Sequence, residues 1–87
     1  MAQLLVTYDL DQPGQVYKKV YKYLEGFDGR RALESVWFIE TAKSPATVRD
    51  ELKAVVDDND RIFVCKIGTW AGRRLMNDAG DWLNGKG

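Results

Sequence analysis

Chemistry in this chain has to work without histidine, since none occurs among the 87 residues. That removes Ser-His-Asp triads, Cys-His pairs and histidine-bearing metal centres. Carboxylates, tyrosine, lysine, arginine and oxygen-ligated metal ions are left. Within that set Asp9 is the most informative residue, because it closes the first apolar run directly after Tyr8. A carboxylate at the carboxyl end of a central strand stands where α/β sheets tend to bind ligands. One aspartate holds Mg²⁺ weakly, because the ion demands six oxygen ligands. A two-fold axis would double the carboxylates, and an ion held there could activate water or stabilise a leaving oxygen. The competing reading is that Asp9 or Asp11 caps the helix behind Pro13.

Arg30 and Arg31, with Lys18, Lys19 and Lys22, have the chemistry to neutralise phosphates. The plainer reading of the three lysines is a solvated helix face, and Arg73 and Arg74 are equally ambiguous. Trp37, Trp70 and Trp82 could stack on bases, but tryptophan in so small a domain more often fills a core or an interface. Trp37 sits inside an alternating strand and is expected to be buried. Trp70 follows the last strand and is the interface candidate. Asp57, Asp58 and Asp60 lack the central glycine and distal glutamate of a calcium loop and read as a turn. Cys65, alternating with Phe63 and Ile67, reads as a small buried hydrophobe. The glycines form no phosphate-binding pattern.

These residues need elements to hold them. Gln3 to Tyr8 is an apolar run that predicts a strand covered on both faces. Asp11 as N-cap and Pro13 in the first turn open a helix whose stripe is Val16, Val20 and Leu24, ending near Gly26 to Gly29. Arg31 to Thr41 alternates for too long to be one ordinary strand. It predicts either two strands joined by a very tight turn around Glu34–Ser35 or one strongly bent strand. Ser44-Pro45 starts a second helix carrying Val48, Leu52, Val55 and Val56. Arg61 to Gly68 is the last clear strand, and Met76, Ala79, Trp82 and Leu83 suit a short helix fraying at Gly85.

Strand, helix, strand pair, helix, strand predicts an α+β, ferredoxin-like βαββαβ sandwich over residues 1–68. Two helices would lie on one face of a four-stranded antiparallel sheet, with a partly helical C-terminal extension over 69–87. Both helices would leave the other sheet face bare, and an uncovered apolar face marks an interface. A homodimer is the commonest solution.

Composition bounds the rest. Thirteen basic residues balance 13 acidic ones, which argues against a domain that coats nucleic acid by bulk charge. A single cysteine fits a reducing compartment, and neither a leader nor a membrane span is expected, so cytoplasm is the expected location.

Tyr8-Asp9-Leu10 closing the first strand, Arg31 opening the second and Ser35-Val36-Trp37 within it resemble the small CRISPR-associated adaptation subunit. In that family a Tyr-Asp pair ends strand one and a Ser-Val-Phe segment occupies this region. The YDL motif, the Leu33-Glu34-Ser35 and Trp37 core, Arg49 to Leu52 and Asn59 to Val64 resemble a related group labelled SinR-like. That group is distinct from the helix-turn-helix repressor of the same name. VapD-type toxin ribonucleases share the architecture. The resemblance, over roughly residues 3–68, implies a ferredoxin-like homodimer with symmetry-related aspartates near its axis, which some relatives use to hold a divalent metal for phosphodiester cleavage. Carried over, Asp9 would hold Mg²⁺ or Mn²⁺ shared between two subunits and Tyr8 would stand beside it as the second catalytic residue. Arg31 would contact phosphate, and Trp37 replaces the family phenylalanine. Arg30, Ser35 and Lys18 complete the expected nucleic-acid contacts. The basic residues that often follow strand one in the adaptation subunit are replaced here by Asp11-Gln12-Pro13-Gly14. The expected function is therefore a metal-dependent nuclease or nucleic-acid binder. The alternatives are a non-catalytic scaffold that recruits another protein through Trp70 and the tail, or a binder of a small anionic ligand at the dimer interface.

Overall fold

A computed structural model describes residues 1–10 and 15–86. Seven elements follow in order: β1 Ala2–Asp9, α1 Gln15–Glu25, β2 Asp28–Leu33, β3 Val36–Thr41, α2 Pro45–Lys53, β4 Arg61–Lys66 and α3 Ala79–Lys86. The strands form one sheet in the order β2-β3-β1-β4, and each neighbouring pair is antiparallel. This is the expected ferredoxin-like α+β arrangement. Each of α1 and α2 links two parallel strands that have one strand between them. Right-handed crossovers then put both helices on the same face.

Alternation along β1 turns Leu4, Val6 and Tyr8 under the helices. There they meet Val20 and Leu24 of α1, Val48 and Leu52 of α2, and Trp37 and Ile39 of β3. The two-strand reading of the central segment is correct, with Glu34 and Ser35 as the two residues between β2 and β3. The second strand starts earlier than expected, at Asp28, because α1 stops at Glu25. Gly29 is then a strand residue and not part of a helix end. A Cβ there would lie 2.3 Å from the Phe38 carbonyl oxygen, so only glycine lets β2 approach β3 so closely. Ser44 caps α2, its side chain accepting from the Thr47 N–H, with Pro45 in the first turn. The caps expected at Asp11 and Pro13 lie outside the described residues.

The second sheet face corrects the expectation that nothing in the chain covers it. Ala79, Trp82 and Leu83 of α3 pack on Ala32 and Phe38, with Leu5, Val36, Ile67 and Leu75 around them. Polar contacts hold the helix down at its far end. Trp82 Nε1 donates to Asp28 at 3.1 Å, and Lys86 Nζ reaches Asp28 at 2.9 Å and Glu40 at 3.3 Å. Met76 lies before the helix instead of on its apolar stripe. Its N–H donates to Ala32 O at 2.9 Å, and Asn77 Nδ2 donates to Arg31 O at 3.1 Å. The tail thus satisfies the outer edge of β2 beside its bulge, where an open strand would invite pairing. Asn77 and Asp78 take positive φ (55° and 54°) to make this turn, a conformation both residue types tolerate. Among the described residues, the β1–β4 half of the face is the more open one. Leu5 and the half-buried Cys65 lie there, with Phe63 60% exposed.

Candidate functional site

The carboxyl end of β1 and the β2–β3 turn meet at one place. Tyr8, Asp9, Tyr17, Tyr21, Arg31, Glu34 and Ser35 line a cleft of about 410 Å³. Four residues singled out from sequence, Tyr8, Asp9, Arg31 and Ser35, are brought together there. The fold explains why: β1 ends level with the turn that starts its neighbour β3, with Thr7 opposite Val36.

Tyr8 points under the helices and is buried. Its hydroxyl accepts a hydrogen bond from Trp37 Nε1 at 3.2 Å and lies 3.5 Å from the Glu34 carbonyl oxygen. Burial, more than any neighbour, pushes its phenol above the ordinary tyrosine value, with Trp37 opposing in part. At neutral pH Tyr8 is therefore a protonated hydroxyl, suited to donate a hydrogen bond and unsuited to act as a base.

Arg31 is the cross-strand partner of Trp37 and so faces the same side of the sheet. Its Nε and Nη2 both donate to the Glu34 carbonyl, at 3.1 and 2.6 Å. Its guanidinium carbon lies 4.8 Å from the Tyr21 ring centroid. One edge of the fork is tied to the turn and one face to the ring, which among the described residues leaves Nη1 for an incoming acceptor. Such a held guanidinium suits a phosphate oxygen.

Alternation turns Asp9 the other way, to the rim of the cleft. Arg61 Nη1 stands 3.2 Å from its Oδ2, both side chains being well exposed. Among the described residues, the partner of Asp9 is this arginine. Sequence reasoning missed Arg61, Tyr21, Tyr17 and Glu34. For Arg61 the signal was present, since it opens the last strand just as Asp9 closes the first. Its use required knowing that these two strands pair.

The other expected contacts lie elsewhere. Arg30 turns to the tail, donating from Nε to Asp78 at 2.8 Å, and also lies 3.9 Å from Asp28. Lys18 is exposed on α1 and does not line the cleft. Trp70, 39% exposed, borders an apolar groove of about 220 Å³ with Leu5, Leu33, Val36, Phe38 and Ile67. Trp37 is buried as expected. Cys65 is only half-buried, which corrects its reading as a core residue, because α3 stops short of it. Asp57 to Asp60 is a turn, closed by the Asp57 N–H on Asp60 Oδ2 at 2.8 Å.

As a place for a divalent ion, the cleft offers hard oxygen donors, with Asp9 at the rim and Glu34 and Ser35 beside it. Among the described residues of one chain no group of three or more potential ligands converges. Mg²⁺ commonly uses one or two carboxylates together with waters and substrate phosphate. Asp9 supplies one carboxylate of that kind. Among the described residues no helix is long and apolar enough to cross a membrane.

Comparison with known families matches residues 1–74 to the model described as CRISPR associated protein Cas2. The match spans the sheet, both packed helices and the start of the tail, and it stops before α3.

Proposed function

The chain belongs to the CRISPR associated protein Cas2 family, and from that premise we propose that it acts as a homodimeric, metal-dependent phosphodiesterase on nucleic acid. One observation carries the reading: Tyr8, Asp9, Arg31 and Ser35, separated by up to 27 positions in sequence, line a single cleft. In this reading Arg31 receives a backbone phosphate on its free Nη1, its other contacts keeping the fork in place. Tyr8 donates a hydrogen bond from a hydroxyl that burial keeps protonated. Ser35, at the mouth of the turn, offers a second hydroxyl. Asp9 and its symmetry mate hold Mg²⁺ or Mn²⁺, which when bound would supply the charge that stabilises the phosphoryl oxygens.

Apolar side chains exposed on the second face support the dimer. Phe63 on β4 is 60% exposed, and Leu33 and Trp70, 47% and 39% exposed, line the apolar groove. Clustered apolar surface of this kind marks an interaction site, and the two-fold homodimer is its commonest use. The same groove favours a second reading, a non-catalytic scaffold in which Trp70 receives another protein.

Cleavage of labelled single- and double-stranded RNA and DNA with Mg²⁺ or Mn²⁺ tests the proposal, comparing wild type with Asp9→Ala. Light scattering first establishes that both are dimers. Activity lost in the mutant and under chelation supports the nuclease. Equal traces from both proteins, or none from either, overturn it in favour of the scaffold.

A further inference from the structure

Asp9 and Arg61 stand directly opposite each other in the β1–β4 ladder. Register alone brings the Cβ atoms of such a pair to about 4.5–5.5 Å. The guanidinium completes the approach, with Nη1 3.2 Å from Asp9 Oδ2. The pairing is therefore a product of the sheet, not of a loop that happens to fold back.

Its energetics matter as much as its geometry. The two side chains are 84% and 73% exposed, and an ion pair so solvated adds little to fold stability. It can open without disturbing either strand. While closed, it puts a positive charge and an N–H donor on the carboxylate assigned above to the divalent ion. The guanidinium takes up Oδ2, and its charge repels a metal ion approaching the same carboxylate.

We propose that Arg61 is a built-in competitor for the cation at Asp9, so that it sets the divalent-ion concentration at which the site loads. The inference rests on the reading that Asp9 holds the ion. Arg61 acts through Asp9 and is a regulatory residue, not a catalytic one.

The test is a titration of Mn²⁺ alone into the full-length chain, following free ion by electron paramagnetic resonance. Wild type is compared with Arg61→Ala, Asp9→Asn and Lys66→Ala. Lys66 lies five residues along the same strand, about 16 Å away by strand rise, beyond the screening length of about 10 Å at 0.1 M salt. It controls for the loss of one positive charge. Arg61→Ala is expected to bind Mn²⁺ about three- to five-fold more tightly, the scale of an exposed ion pair. Lys66→Ala should match wild type, and Asp9→Asn should lose the site. If Arg61→Ala binds as wild type does, or Lys66→Ala tightens equally, while Asp9→Asn still abolishes binding, the competition is overturned and the metal reading stands. Binding unchanged in Asp9→Asn overturns both.

Discussion

The Arg31 guanidinium lies over the Tyr21 ring, 4.8 Å from its centroid, while two of its nitrogens donate to the Glu34 carbonyl. An arginine so held has already lost much of its side-chain freedom, and a phosphate that binds it has less to order. Arg31→Ala should weaken nucleic-acid binding and cleavage together. Arg31→Lys should not restore them, because an ammonium cannot bind the turn and a phosphate with one planar fork. A filter-binding titration across salt concentrations checks this. Full rescue by lysine would show that only the charge matters.

Tyr8 lines the cleft, and the buried Trp37 donates to its hydroxyl. Tyr8→Phe removes the acceptor of the Trp37 indole N–H and leaves that donor buried, at a cost of about 1–3 kcal/mol. Trp37→Phe removes donor and bulk together. In a double-mutant cycle of thermal unfolding the paired change should cost less than the sum of the single ones. Strict additivity would mean that the 3.2 Å contact carries no coupling.

Much of this architecture was legible in the residues themselves. The apolar run of β1 and the Ser44-Pro45 start of α2 are local signals, and the structure places both elements where they point. The long alternating segment left the turn at Glu34–Ser35 as one of two readings, because neither residue is glycine or proline. The cleft was legible through its motif residues, whereas Arg61 was not, since its role depends on which strands pair. The tail was the least legible part. It contains Gly80 and Gly85, poor helix residues, and its stability comes from partners 46 and 54 positions away in sequence, Glu40 for Lys86 and Asp28 for Trp82.

Those partners make the docking of α3 depend on pH. Hydrogen bonds from Lys86 and then Trp82 hold the Asp28 carboxyl below its usual value. A depressed folded pKa gives stability that is present above the unfolded value, about 4, and is lost as pH falls through the folded one. Lys86 is shifted upward, first by Asp28 and then by Glu40. Its contribution is present below about pH 10.4 and is lost as pH rises through its raised value. The Trp82 indole N–H resonance should keep one position between these limits and move below about pH 4. Lys86→Met should remove the alkaline change and leave the acid one. An acid transition absent from wild type would show that Asp28 does not hold the helix.

Gly29 offers the sharpest test of the fold beneath the site. A methyl group there would meet the Phe38 carbonyl oxygen at 2.3 Å and the Ile39 backbone and side chain at 3.1 Å. The obstacle is largely backbone, so β2 must move away from β3 or lose part of its ladder. Overpacking of this kind costs about 1–3 kcal/mol. The consequence reaches the cleft, because the same ladder seats Arg31 opposite Trp37. Gly29→Ala should therefore lower the melting temperature and weaken nucleic-acid binding, although Gly29 does not line the cleft. An exposed control, Ala46→Gly on α2, should cost about 1 kcal/mol through helix propensity and leave binding unchanged. If Gly29→Ala loses stability while binding stays intact, Arg31 is held by the turn and the Tyr21 ring alone, independently of the β2–β3 register.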